Sequence, residues 1–416
     1  MCLLAALALS TALAAPALAA TPDEIARTCA DLTFATYQDS LTTAEGLQRA
    51  VAALIATPSE ATLQAAREAR LAARVPHQQT EAFRFGNPIV ADWEGRVNAW
   101  PLDGDLIDDT SADYGNAENV LVGLNVIATP SFTRSGTVID ATRITPALIR
   151  DTPHKVDGME ANVASGYHAI EFLRWGQDLN GTGPGAGAQP HTDFALGEGC
   201  TGGNCDRRAA YLQAATDLLV ADLEVRFVNW AETGPYRAAV TADLQAGHRA
   251  MPTCTGSLTC GELAGERMKL GLMLNDPEEP HDSFSDNTRN SHYYDGVGTR
   301  NLYLGFCPRI DRTVYEGPPL SDLVAAAEPA VDARLRAELD ASVADLGTIK
   351  SAAARGLAHD RMLAAGDARG KALIMGAAEA PVTQTASITR AVAALGLPQV
   401  TFEGSDSLDN PNAVFQ

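Results

Sequence analysis

Aromatic side chains make up only 6% of this 416-residue chain. Sheets rely on aromatic and β-branched residues, so their scarcity argues against a β-sandwich or barrel. Basic residues are also few: 31 Lys and Arg face 52 Asp and Glu, for a net charge of −21. That sign argues against nucleic acid or an anionic membrane surface as partner. No two cysteines stand in a C-x-x-C spacing, which removes the usual basis for a thiolate metal site. Beyond residue 20 no apolar run is long enough to span a bilayer, so the mature chain is expected to carry no transmembrane span.

What the chain does contain is Ala and Leu in abundance, with 46% hydrophobic and 20% charged residues. This is globular composition with a helical bias. Residues 1–20 are small and apolar and end in Ala17-Leu18-Ala19-Ala20, an h-region with an A-x-A cleavage site. The expected mature protein is exported, to the periplasm or the outer membrane. Losing the leader removes Cys2 and leaves Cys29, Cys200, Cys205, Cys254, Cys260 and Cys307. An even number in an exported chain suggests disulfides. Local pairing of Cys200 with Cys205 and Cys254 with Cys260 is simplest, and would leave Cys29 for Cys307.

Periodicity predicts an all-α chain of two four-helix-bundle-like domains, spanning residues 21–176 and 206–416. Helices are expected at Asp23–Ala56, Ser59–Arg74 (Pro76 just beyond its end) and Gly158–Trp175 in the first domain. The second is expected to hold Arg207–Glu232, Arg237–Met251, Gly261–Leu274, Asn290–Leu304, Leu320–Leu346 and Arg361–Leu395. Residues 177–205 are Gly-rich, without period, and carry two cysteines. They read as a stapled surface loop between the halves.

The most informative stretch is Gly166-Tyr167-His168-Ala169-Ile170-Glu171-Phe172-Leu173. Here an imidazole and a carboxylate sit three residues apart in an apolar segment, and so share one helix face. Burial in hydrocarbon requires that carboxylate to be paired, protonated or metal-bound. A hydrogen-bonded core pair satisfies the same spacing. Gly166, half a turn earlier, leaves room for a close neighbour or ligand. The motif lacks the second His and intervening Glu of a zincin and supplies no general base. A second polar cluster runs from Asp276 to Thr288, with Glu278, Glu279, His281, Asp282, Ser283, Ser285 and Asp286. It lacks the calcium-loop pattern of alternating acids with Gly at six and Glu at twelve. A solvated, helix-capping loop is its plain alternative.

Gln79-Thr80-Glu81-Ala82-Phe83-Arg84-Phe85-Gly86-Asn87-Pro88, then the Gly166–Leu173 motif, then Glu278–Thr288, occur in that order. With Cys205-Asp206-Arg207-Arg208, Gly265-Glu266-Arg267 and a leader, they resemble the imelysin-like family. That family includes insulin-cleaving metalloproteinase outer-membrane proteins and iron-regulated envelope proteins. One departure is His281-Asp282-Ser283-Phe284, where relatives often carry His-Ser-Cys-Phe.

The resemblance implies two helical bundles with a site between them and makes His168 and Glu171 metal-ligand candidates. Glu81 is a third candidate ligand, with Arg84, Gly166, His281, Ser285 and Asp286 nearby. An imidazole with carboxylates suits iron or zinc. Di-iron bundles present a pair of Glu-x-x-His motifs, which this chain does not, so a single ion is expected. The leading expectation is metal binding in bacterial iron uptake or homeostasis, the partner being the ion or a small ligand, with an envelope protein as a further possible partner. A metallopeptidase would need Glu81 as its base. A third reading is an envelope ligand-binding protein in which these residues form a metal-free polar network.

Overall fold

The computed structural model describes residues 20–84, 88–111, 124–134, 136–151, 154, 161–242, 252 and 255–402. Of the expected leader, residues 1–20, all but Ala20 lie outside the described residues. Helix α1 (Pro22–Ala56) opens with a capping box. The Thr21 hydroxyl accepts from Glu24 N at 3.3 Å, and the Glu24 carboxylate accepts from Thr21 N at 2.8 Å. Helix α2 (Glu60–Thr80) follows after three residues, so the two form an antiparallel hairpin. Tyr37, Ala44, Leu47, Val51 and Leu54 recur at helical spacing along the buried face of α1.

After α3 (Pro88–Val97), the hairpin β1–β2 (Ser131–Arg134 with Thr137–Asp140) and α4 (Pro146–Asp151), two further helices complete this core. They are α5 (Gly166–Trp175) and α6 (Cys205–Trp230). Trp93, Tyr167, Ile170, Leu212 and Trp230 pack there with the α1 stripe. Past α7 (Pro235–Ala242), a π-helix (Leu258–Lys269) runs into α8 (Leu270–Leu274). Then come α9 (Thr288–Leu304), the hairpin β3–β4 (Phe306–Pro308 with Val314–Glu316), α10 (Leu320–Ala327), α11 (Pro329–Ala354), α12 (His359–Leu363) and α13 (Ala368–Ala394). Leu263, Met268, Leu346, Ile349, Met362 and Ile374 form a second core, while Ile25 and Leu32 of α1 join Leu302, Leu335 and Ile388 in a third. The fold is all-α, its only described strands being the two short hairpins. Among the described residues no helix is long and apolar enough to cross a membrane.

Several boundaries differ from those that periodicity predicts. Helix α2 continues through Pro76 to Thr80. The proline removes one backbone donor, but burial of His77, Gln78 and Thr80 holds the last turn in place. Helix α5 starts only at Gly166; residues 161–165 are non-helical and 155–160 lie outside the described residues. Pro329 divides the expected Leu320–Leu346 helix, and residues 364–367 divide Arg361–Leu395. Of Arg237–Met251, residues 243–251 lie outside the described residues. Cys200 and Cys205 are disulfide-bonded. Cys29 and Cys307 are free thiols, against the expected pairing. Both are buried in the same apolar cluster, which pushes both thiols up. Cys254 lies outside the described residues.

Candidate functional site

Gly166 begins α5 with φ +82°, a left-handed conformation that L side chains rarely adopt. A Cβ there would lie 2.3 Å from the Val97 carbonyl oxygen and 2.8 Å from that of Arg96. The room left by the missing side chain is taken by the end of α3. The Ser165 hydroxyl also donates to Arg96 O at 2.8 Å. This close approach fixes where α5 starts and turns His168 and Glu171 toward α2 and the 281–288 turn.

His168, Glu171 and Asp282 are all fully buried, and each offers one ligand atom within 4.8 Å of the others. His168 Nδ1 lies 3.2 Å from Glu171 Oε2 and 3.5 Å from Asp282 Oδ1. Asp282 adopts a left-handed conformation (φ 61°), which Asp tolerates better than most residues, before a 3₁₀ turn over Ser283–Ser285. That turn carries Ser285 N and its hydroxyl to Glu171 Oε1, the amide at 3.0 Å.

Two arginines of α2 complete this group. Arg70 donates to Glu171 Oε2 at 2.6 Å and to Asp282 Oδ1. Arg74 donates to Asp282 Oδ2 at 3.0 Å, where Ser291 also donates. Burial raises an acid, but Arg70 and Arg74 outweigh it at Asp282 and hold that carboxyl well below its usual range. Glu171 is pushed up to about 8 by burial, with Asp282 adding to the push against Arg70. Burial, with Arg74 and Arg70, holds His168 neutral.

Asn98 fixes the state of that imidazole. Its Nδ2 donates to Glu81 Oε1 at 3.1 Å, so its Oδ1 is the acceptor facing Arg74 Nη1 (2.6 Å) and His168 Nε2 (3.1 Å). A neutral His168 therefore donates from Nε2 and presents the Nδ1 lone pair to Glu171 and Asp282.

Glu81 stands on the far side of Asn98, in a separate group with His77 and Glu94. Its Oε2 accepts from Arg267 at 2.9 Å and Arg84 at 3.4 Å. Arg267 also reaches Glu262 and Asp295, each at 2.7 Å. Arg267 and Glu262 are five residues apart, a spacing that the wider π-helix turn brings to one side. Burial, followed by the charge of Glu94, raises Glu81.

The other predicted residues divide. The His281 ring packs 4.9 Å from that of His168. Asp286 lies apart from both groups, beside Asp178 and Asp360. Sequence reasoning missed Arg70, Arg74, Asn98, His77 and Glu94 as site residues. Arg70 and Arg74 did leave a trace: an i, i+4 pair of arginines on the face of α2 that also buries Leu63, Ala66 and Ala73. Asp282, noted in the second polar cluster and as a departure from relatives but not as a ligand, is the acceptor that joins both arginines.

The model of the Imelysin family, named as a peptidase family, matches residues 33–388. Among solved structures, the chain is similar to a protein assigned as an iron-regulated protein A precursor from Parabacteroides distasonis ATCC 8503. That match has TM-score 0.63 and 18% identity, over 91% of this chain and 97% of that one. It is also similar to an imelysin-like protein from Psychrobacter arcticum 273-4, with TM-score 0.56 and 13% identity, over 92% and 97%. Among curated proteins none matches. With most of its described helices inside the family match, the chain belongs to the imelysin family.

Proposed function

We propose that this chain is an exported metal-binding protein of bacterial iron handling, acting in the periplasm or at the outer membrane. It binds a single iron or zinc ion, with His168, Glu171 and Asp282 as ligands. The observation that carries the reading is the fixed imidazole: Asn98 Oδ1 accepts the Nε2–H hydrogen bond and leaves Nδ1 facing two buried carboxylates. A ligating His is usually oriented in this way, by a carbonyl or carboxylate on its other nitrogen. One nitrogen and two carboxylate oxygens suit iron or zinc better than calcium or magnesium. Glu81 acts through Asn98 rather than as a direct ligand. The iron-regulated name of one structural neighbour supports the iron assignment.

Arg70 favours a second reading, a polar network that needs no ion. Its guanidinium already bridges Glu171 and Asp282, so the buried charge is compensated by the protein itself. A peptidase reading has less support, because Glu81, its candidate base, is held by Asn98, Arg84 and Arg267.

Elemental analysis and calorimetric titration of the untagged mature chain with Fe(II), Fe(III) and Zn(II) separate these readings. Stoichiometric binding that is lost in His168→Ala and kept in Glu81→Gln supports the proposal. No binding by the unmodified chain leaves the metal-free network.

A further inference from the structure

Asp178, Asp286 and Asp360 form a cluster outside the site described above. Asp178 lies in the Gly-rich segment after α5, Asp286 ends the 3₁₀ turn before α9, and Asp360 belongs to α12. They are between 74 and 182 residues from one another along the chain, yet each offers one carboxylate oxygen within 4.8 Å of the others. Ligand atoms about 2.4 Å from one calcium ion must satisfy that limit.

The burial of Asp360 makes this more than an acidic patch. Its residue is 1% exposed, and neither carboxylate oxygen has a hydrogen-bond partner. Asp286 Oδ1 is likewise buried without one. A buried carboxylate normally carries several hydrogen bonds or a cation. Asp178 is partly satisfied: its Oδ1 accepts from Asn180 N and Nδ2, each at 2.8 Å. The nearby cation is Arg289, which attracts Asp360 and donates to the backbone oxygen of Asp286. Three carboxylates against one guanidinium leave an excess of negative charge.

We propose that Asp178, Asp286 and Asp360 bind a hard divalent cation of the calcium class, independently of the His168 group. The donor set contains only oxygen, with no imidazole or thiolate, which separates it chemically from an iron or zinc site. The cation ties α12 to the turn that supplies Asp282 and Ser285 and to the Gly-rich segment beside it. A proton shared between Asp286 and Asp360 is the competing way to neutralise the pair. Without a cation, burial and then Asp286 push Asp360 up to about 10.

The test is calcium titration of the chelator-stripped, full mature chain, read by calorimetry and by Tm. Expected is one calcium per chain with a Tm that rises in millimolar calcium. Asp360→Asn and the less buried Asp286→Asn are each expected to weaken calcium on the order of 100-fold. His168→Ala is expected to leave calcium binding unchanged. Using both aspartate variants keeps the test open should one fail to fold. No calcium-dependent heat or Tm rise in the unmodified chain overturns the proposal, as does binding retained in a folded Asp286→Asn or Asp360→Asn. Calcium binding lost in His168→Ala places the ion elsewhere and overturns it too.

Discussion

The Arg70 guanidinium donates to Glu171 Oε2 at 2.6 Å with both side chains fully shut off from solvent. The same nitrogen reaches Asp282, so one cationic group from α2 joins the signature helix to the 281–288 turn. Removing one partner of such a buried pair strands the other charge.

Arg70→Met is therefore expected to destabilise the metal-free protein by about 3–5 kcal/mol, measured by urea unfolding. Under the metal-binding reading the same change removes a competing positive charge and tightens Fe(II) or Zn(II) binding. Destabilisation without any gain in metal affinity favours the metal-free network.

Glu171 gives a pH signature. Its folded carboxyl is pushed up to about 8, against 4.5 for the unfolded group. Between those values the folded state holds a proton that the unfolded state has lost, so stability falls as pH rises through the window. The slope approaches about 1.4 kcal/mol per pH unit for one full proton. Glu171→Gln is expected to flatten that limb between pH 5 and pH 8. An unchanged slope in the variant assigns the pH dependence to another group.

At Gly166 two requirements coincide, a left-handed φ and contact with the α3 carbonyls. Gly166→Ala is expected to cost about 3 kcal/mol or more, combining backbone strain with overpacking. Because the strain displaces the start of α5, metal binding is expected to fall with it. A Tm within one degree of the unmodified chain counts against this account.

Asn98→Ala frees the second nitrogen of His168 and removes its acceptor. Metal affinity is expected to drop by about 10–100-fold, the usual cost of losing the group that orients a ligating His. Asn98→Asp keeps an acceptor there and should recover part of the loss. Equal affinities in all three proteins rule out Asn98 as the orienting group.

Much of the helical framework was legible because helix signals are local. The structure shows how local they are: the Thr21–Glu24 capping box and the Ser59 cap each join residues three apart in sequence, and the stripe from Tyr37 to Leu54 lies on one helix. The breaks were harder. Pro76 reads as a stop, yet α2 passes it because His77, Gln78 and Thr80 are buried by elements far away in sequence. Gly166 was legible as a special position, but not what fills the space beside it.

The sequence by itself determined an acidic, helix-rich chain with an imidazole and a carboxylate on one face of an apolar helix, and a local Cys200–Cys205 bridge. Tertiary structure alone decided their company: Arg70 and Asp282 at Glu171, Asn98 at His168, and His77 and Glu94 rather than His168 beside Glu81. Periodicity and caps depend on neighbours a turn away. The partner of a buried charge comes from any segment that packing brings within about 3 Å, and no local pattern encodes that choice.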